Sequence, residues 1–281
     1  MMPIYRPTEL HLFLNELGIS PKKGLSQNFL IDGNIIRKIV AAAQVQAGDD
    51  VLEVGPGPGS LTQALLEKGA QVFAVEKDST LAQALERLQT PTHQLHVFCH
   101  DIMTFDFETS LQIQHRAKVI ANLPYHLTTP IIAQLVMRRD LFSSLTIMVQ
   151  EEVARRMTAQ PGSADYSSFS LFLQFYTQPH YAFGVSRQCF YPVPKVDSAI
   201  VTLALKEPPL TGEQETQFFK MTRLAFEHRR KMLRASLKPL FVPEKVEAAL
   251  VAIGQTPLAR PEVLSLNEFL QLHAILRQLT T

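Results

Sequence analysis

The chain has 281 residues, 46% of them hydrophobic, with 27 basic against 26 acidic side chains and a formal net charge of +1; this length suits one large domain and a small one. Two cysteines, Cys99 and Cys189, both in apolar stretches, give no disulfide framework and no cysteine metal cluster, and point to a reducing compartment. No apolar run reaches the roughly 18 residues of a bilayer span, and the N-terminus has neither a secretory h-region nor an Arg/Ser-rich transit pattern, so the expected location is the cytoplasm, with no membrane partner.

In chain order, short apolar strands are expected at 51–54, 71–76, 95–99, 117–121 and 145–149, with amphipathic helices near 34–44, 60–68, 79–89, 128–138 and 151–159. This alternation predicts an α/β, doubly wound architecture around a mostly parallel sheet. Two further strands, near 169–177 and 198–205, are expected as an antiparallel edge. Glu207-Pro208-Pro209 then breaks the chain. Beyond it the periodicity is helical over 213–240, 243–253 and 266–279, the last opened by Ser265 and Glu268 in capping positions. The expected division is therefore 1–207 and 208–281.

The strand at 51–54 runs into Gly55-Pro56-Gly57-Pro58-Gly59 and then a helix, an arrangement that admits a nucleotide-containing cofactor. Its glycines are spaced G-x-G-x-G rather than G-x-G-x-x-G. Pro56 and Pro58 remove two N–H donors that a pyrophosphate would need, which favours an adenosine cofactor without phosphate, namely S-adenosylmethionine. Glu76, at the next strand end and about 20 residues on, stands where ribose hydroxyls are accepted. Asp101, after the following strand, is placed either to accept from an adenine amino group or to cap the turn behind it.

A fourth strand ends in Asn122-Leu123-Pro124-Tyr125. An aryl amine is a poor nucleophile because its lone pair is delocalised, so acceptors for its N–H protons activate it. The Asn122 side-chain oxygen and the Leu123 carbonyl are candidates, with Pro124 stiffening the turn and Tyr125 offering a ring for a base taken out of its helix. The bland alternative is a strand-to-turn junction. Polar residues at four successive strand ends favour the ligand site, because open α/β sheets bind there.

Downstream, Arg223, Arg229, Arg230, Lys231, Arg234 and Lys238 fall within 16 positions opposed only by Glu227. In a continuous helix Arg230, Arg234 and Lys238 share one face. Such a run is either a solvated face or, beside a base-handling cleft, a phosphate-binding surface that Lys22 and Lys23 extend.

The chain resembles the ribosomal RNA adenine N6-dimethyltransferase family, and most of all its small-subunit (KsgA/RsmA) branch, to which the macrolide-resistance rRNA methylases and the mitochondrial transcription factor B proteins are similar. The matching residues are 22–30 (Lys-Lys-Gly-Leu-Ser-Gln-Asn-Phe-Leu), 51–57, 122–125, 190–198 (Phe-Tyr-Pro-Val-Pro-Lys-Val-Asp-Ser) and 229–234, in order along nearly the whole chain. The resemblance implies a class I (Rossmann-like) methyltransferase with a small all-helical C-terminal domain that contributes to rRNA binding. It implies that Asn28 and Leu30, with Gln27, close over the cofactor. Gly55 and Gly57 pass its methionine part, Glu76 and Lys77 lie at its ribose, Asp101 and Ile102 at its adenine, and Asn122 at the methyl transfer point. It places Phe190, otherwise a core aromatic, opposite Tyr125 around the target base. Departures from the family pattern are Ser26, His126, Ala235 and the lack of a Gly-Arg pair in 166–170.

The implied activity is N6,N6-dimethylation of two adjacent adenines in the 3′-terminal hairpin of 16S rRNA, by a monomer acting on the small subunit or its precursor without a metal. Alternatives are a large-subunit adenine methylase conferring macrolide resistance, for which Ser26 speaks, and a non-enzymatic transcription or assembly factor on the same fold.

Overall fold

The structure is a computed structural model and describes residues 4–25, 27–124, 127–228 and 230–278. Helix α1 (Pro7–Glu16) starts on a proline already at helical φ and buries Leu10 and Leu14. Strand β1 (Phe29–Leu30) precedes α2 (Gly33–Ala42), whose Asp32 cap accepts from the Asn34 and Ile35 amides. Strand and helix then alternate: β2 (Asp50–Val54), α3 (Ser60–Glu67), β3 (Gln71–Glu76), α4 (Ser79–Leu85), β4 (Leu95–Cys99), α5 (Phe107–Ser110), β5 (Ala117–Asn122), α6 (Thr128–Val136), β6 (Phe142–Gln150) and α7 (Glu151–Thr158). Helix α8 (Ser168–Tyr176), strands β7 (Thr177–Val185), β8 (Phe190–Tyr191) and β9 (Ser198–Leu205), and helices α9 (Gly212–Glu227), α10 (Leu233–Ser236), α11 (Pro243–Ala252) and α12 (Leu266–Gln278) complete the chain.

Among the described residues one seven-stranded sheet runs β4-β3-β2-β5-β6-β9-β7. The pairs from β4 to β6 are parallel, and β9 joins β6 antiparallel. Every residue of β2 is buried, as expected for a strand covered on both faces. From β2 the chain winds outward to β4 and then returns to β5 on the other side. The strand order therefore reverses between β2 and β5, and an open crevice forms at their C-terminal ends. A separate two-stranded ladder pairs Phe29 with Tyr191 and Leu30 with Phe190.

Two compact units result, one of residues 1–154 and 178–206, the other of 155–177 and 207–281. The expected division at 207/208 thus needs one correction: 155–177 belongs with the helical unit. The reason lies in a second correction, because the apolar run expected as a strand at 169–177 is helix α8. Ser167 and Ser170 form a reciprocal capping box that starts the helix, which buries Leu171, Leu173, Phe175 and Tyr176. The ring of Phe175 stacks on Phe218 of α9 at 5.3 Å, and the edge strand begins only at Thr177.

The helix expected over 213–240 is also divided. α9 ends at Glu227, Met232 is extended, and the Leu233 amide donates to the Ala259 carbonyl instead of continuing a helix. In a continuous helix Arg230, Arg234 and Lys238 would stack like charges one turn apart, which favours that break. The capping pair at 265 and 268 is present, Ser265 N donating to Glu268 Oε2 at 2.7 Å and Glu268 N to Ser265 Oγ at 3.3 Å. Cys99, expected in apolar surroundings, is exposed on the outer strand β4, and Cys189 is half-buried beside Asp32.

Candidate active site

At the strand reversal the first unit holds a cavity of about 180 Å³. The four polar strand-end residues Glu53, Glu76, Asp101 and Asn122 all line it, as do Gln27, Asn28, Leu30, Gly55, Gly57, Lys77, Ile102, Leu123 and Pro124. The glycine loop gets its shape from left-handed φ at Gly55, Gly57 and Gly59, which only glycine adopts without penalty. At Gly57 a Cβ would stand 3.1 Å from the Phe29 ring. At Gly59, which opens α3, it would meet Leu85 Cδ2 at 2.7 Å.

Glu76 accepts from the Gly57 amide at 3.0 Å and from the Asp78 amide at 2.8 Å. Burial raises its carboxyl above the ordinary value, and these two N–H groups offset only part of that. Glu53 is 2% exposed and its Oε2 has no hydrogen-bond partner among the described residues. Burial, helped by the charge of Glu76, pushes its carboxyl up to about 8; the Thr62 hydroxyl lowers it but falls outside good hydrogen-bond geometry. Asp101 combines both readings of its position: one oxygen accepts from the Met103 amide at 2.9 Å and caps the turn, while the other accepts from Lys77 Nζ at 2.8 Å. Lys77 first, then that amide, hold the Asp101 carboxyl low.

The Asn122 amide nitrogen donates to the Asn28 carbonyl at 3.1 Å, which fixes the side chain and leaves its oxygen as an acceptor in the cavity. The Pro124 carbonyl is taken by the Leu127 amide and the Thr128 hydroxyl, whereas the Leu123 carbonyl accepts no hydrogen bond among the described residues. Tyr125 lies outside the described residues, as do Ser26, His126, Arg229 and the Lys23 side chain.

The site differs from expectation at three places. Phe190 is 1% exposed, is packed with Leu30, Ile36 and Ile200 in the core, and does not line the cavity. Its position in the ladder against β1 accounts for this, so the ring is core and not a free stacking surface. Lys22, expected at phosphates, is committed: its Nζ lies 2.8 Å from Asp78 Oδ2. The proposed common face of Arg230, Arg234 and Lys238 does not exist, because α9 ends before them. Arg234 pairs with Glu247 of α11 inside the helical unit. Arg223, Arg230, Lys231 and Lys238 are exposed and have no acidic partner among the described residues.

Sequence reasoning missed His100, which lines the cavity, and Asp78, which lies behind it, and it counted Glu53 only as an acidic strand end, with no role of its own. Glu53 carried a usable signal, an acid inside a strand otherwise apolar from Val51 to Val54.

The sequence pattern of the family described as "Ribosomal RNA adenine dimethylase" matches residues 19–278. The chain is 68% identical to "Ribosomal RNA small subunit methyltransferase A" of Protochlamydia amoebophila (strain UWE25), over 97% of each protein. It is 47% identical to the protein of the same name from Chlamydia abortus, over 96% of this chain and 97% of that one. Among solved structures it is similar to the 23S rRNA methyltransferase ErmE, with TM-score 0.74 and 29% identity over 89% of this chain and all of that one. It is similar also to a dimethyladenosine transferase from Plasmodium falciparum, with TM-score 0.73 and 29% identity over 87% and 95%. The chain belongs to the ribosomal RNA adenine dimethylase family, whose members are S-adenosylmethionine-dependent enzymes on the class I methyltransferase fold.

Proposed function

We propose that the enzyme places two methyl groups on N6 of each of two adjacent adenines in the 3′-terminal hairpin of 16S rRNA, acting as a cytoplasmic monomer on the small subunit or its precursor. The observation that carries this reading is the Asn122 amide, tethered through its nitrogen, whose oxygen, like the Leu123 carbonyl, accepts no hydrogen bond among the described residues.

The cavity suits S-adenosylmethionine. Lys77 is the one lysine or arginine lining it among the described residues, and it is paired with Asp101, while Glu76 adds a carboxyl that accepts hydrogen bonds. Such a lining favours a cationic ligand with hydroxyls and no phosphate. When bound, the cofactor supplies an electrophilic methyl on a sulfonium. Asn28 and Leu30 would cover it, Gly55 and Gly57 would let it approach the backbone, and Glu76, with Lys77 beside it, would accept from the ribose. Asp101 and Ile102 would border the adenine.

The residues at β5 do the activating. Asn122 Oδ1 and the Leu123 carbonyl accept the two N6 protons, drawing the lone pair out of conjugation and stabilising positive charge as it develops on nitrogen. Methylated N6 is an acidic arylammonium, so its proton leaves to water or to a carbonyl without a dedicated carboxylate base. Tyr125 is the proposed stacking ring for the extruded adenine. Arg223, Arg230, Lys231 and Lys238 are the proposed phosphate contacts, since their charges are exposed and uncompensated.

The 68% identity to a small-subunit enzyme, against 29% to a 23S enzyme, favours 16S over 23S rRNA as substrate. Mass spectrometry of both rRNAs from cells with and without the gene tests this. N6,N6-dimethyladenosine should disappear from a 16S fragment in the deletion, and loss from 23S rRNA instead would refute the assignment.

A further inference from the structure

The residues that cover the cavity from the N-terminal side are fastened at two points. On the β5 side the Asn28 carbonyl accepts from Asn122. On the β3 side the fastening is Asp78, 3% exposed, whose Oδ2 accepts from Lys22 Nζ at 2.8 Å and from Gln27 Nε2 at 3.0 Å. Gln27 in turn accepts the Lys22 amide through Oε1 at 2.7 Å, closing a three-residue network. Between and beyond these points Gly24, Leu25 and Gln27–Leu30 line the cavity.

The other end of Asp78 faces the cofactor side: its amide donates to Glu76 Oε1, and Glu76 Oε2 also accepts from the glycine loop at Gly57. One residue therefore links the covering segment, the expected ribose acceptor and the glycine loop. We propose that Asp78 is a positioning residue for the methyl transfer, a latch that holds the N-terminal covering segment closed over bound S-adenosylmethionine and so sets how slowly the cofactor leaves. This rests on the cofactor assignment above.

Geometry explains why a carboxylate is needed here. Burial alone would raise its pKa, but the Lys22 and Gln27 hydrogen bonds, the Lys22 charge and the Thr80 amide together hold it below the ordinary value. The latch is thus closed and charged across the physiological range. Opening it separates Lys22 from a buried anion, which makes the step costly and slow.

Asp78→Asn tests this without removing the helix cap, because the one amide oxygen can stay on the Thr80 amide, which turns the amide nitrogen toward Lys22 and Gln27, both donors, and so breaks the latch. Lys22→Met removes the same ion pair from the exposed partner. Each should speed S-adenosylmethionine dissociation in stopped-flow by about tenfold. The double variant should be no faster than either single one. Lys22→Arg should restore slow release, and the defect should appear in KM for the cofactor more than in kcat. Hydrogen exchange over 22–30 should lose the protection that cofactor confers on the parent. Parental dissociation rates in both single variants, or effects that simply add in the double variant, would overturn the latch. A parent that binds no S-adenosylmethionine by calorimetry would overturn the cofactor assignment and the latch with it.

Discussion

Glu53→Gln should stabilise the cofactor-free enzyme, and by an amount that grows with pH. The Glu53 carboxyl is raised from 4.5 to about 8 because folding buries it without a partner for Oε2 and beside Glu76. The unfolded chain releases this proton near pH 4.5 and the folded protein keeps it until about pH 8, so between those values the native state binds more protons. Stability therefore falls as pH rises through this window, and the full penalty is present above it. Glutamine has nearly the same shape and never ionises. Its advantage should be constant below pH 4.5 and then grow by about 1.4 kcal/mol per pH unit, reaching on the order of 3 kcal/mol at pH 7. Urea unfolding of parent and variant at several pH values between 4 and 8 measures the difference directly, since other titrations, including that of Glu76, largely cancel in the subtraction. A difference that stays flat from pH 4.5 to 7 would mean that Glu53 ionises normally in the native state and would refute the argument.

Asn122→Ala removes an acceptor used most fully as charge develops on N6, so the single-turnover rate should fall by roughly 10²–10³, while cofactor affinity measured by calorimetry changes only a few-fold through the lost tether to Asn28. Gly59→Ala must place a Cβ 2.7 Å from Leu85 and 2.9 Å from Leu88 at a φ of +87°; thermal unfolding should show a loss of roughly 2–4 kcal/mol. Replacing Arg223 and Arg230 together by Glu should leave the melting temperature near the parental value and reduce the salt dependence of subunit binding, by about 0.7–0.9 of log–log slope per lost contact. Arg234→Met should do the reverse, costing under about 1 kcal/mol of stability through loss of its pair with Glu247 while leaving the salt slope unchanged.

The parallel half of the sheet was legible because its strands are unbroken apolar runs separated by helical periods, so the residues at their C-terminal ends, from Glu53 to Asn122, could be named before any coordinates. Residues 169–177 misled for a physical reason: a short apolar run rich in aromatics suggested a strand, and the capping box between Ser167 and Ser170 overruled it. The basic run at 229–238 misled similarly, since charge spacing says nothing about where a helix stops and a tertiary hydrogen bond to Ala259 decides it. Phe190 and Lys22 were assigned to substrate because motif position carries no information on burial. Only the ladder with β1 and the network around Asp78 reveal that each is already engaged.

The short ladder that joins Phe29 and Leu30 to Tyr191 and Phe190 also imposes an order on events during synthesis. The covering segment leaves the ribosome well before the strand that secures it, since the whole run from β2 to β7 is made between the two. Contacts of such wide sequence separation form late. A nascent chain therefore cannot close this ladder until translation has passed Tyr191, so the segment that covers the pocket stays unsecured while most of the sheet beneath it is already made.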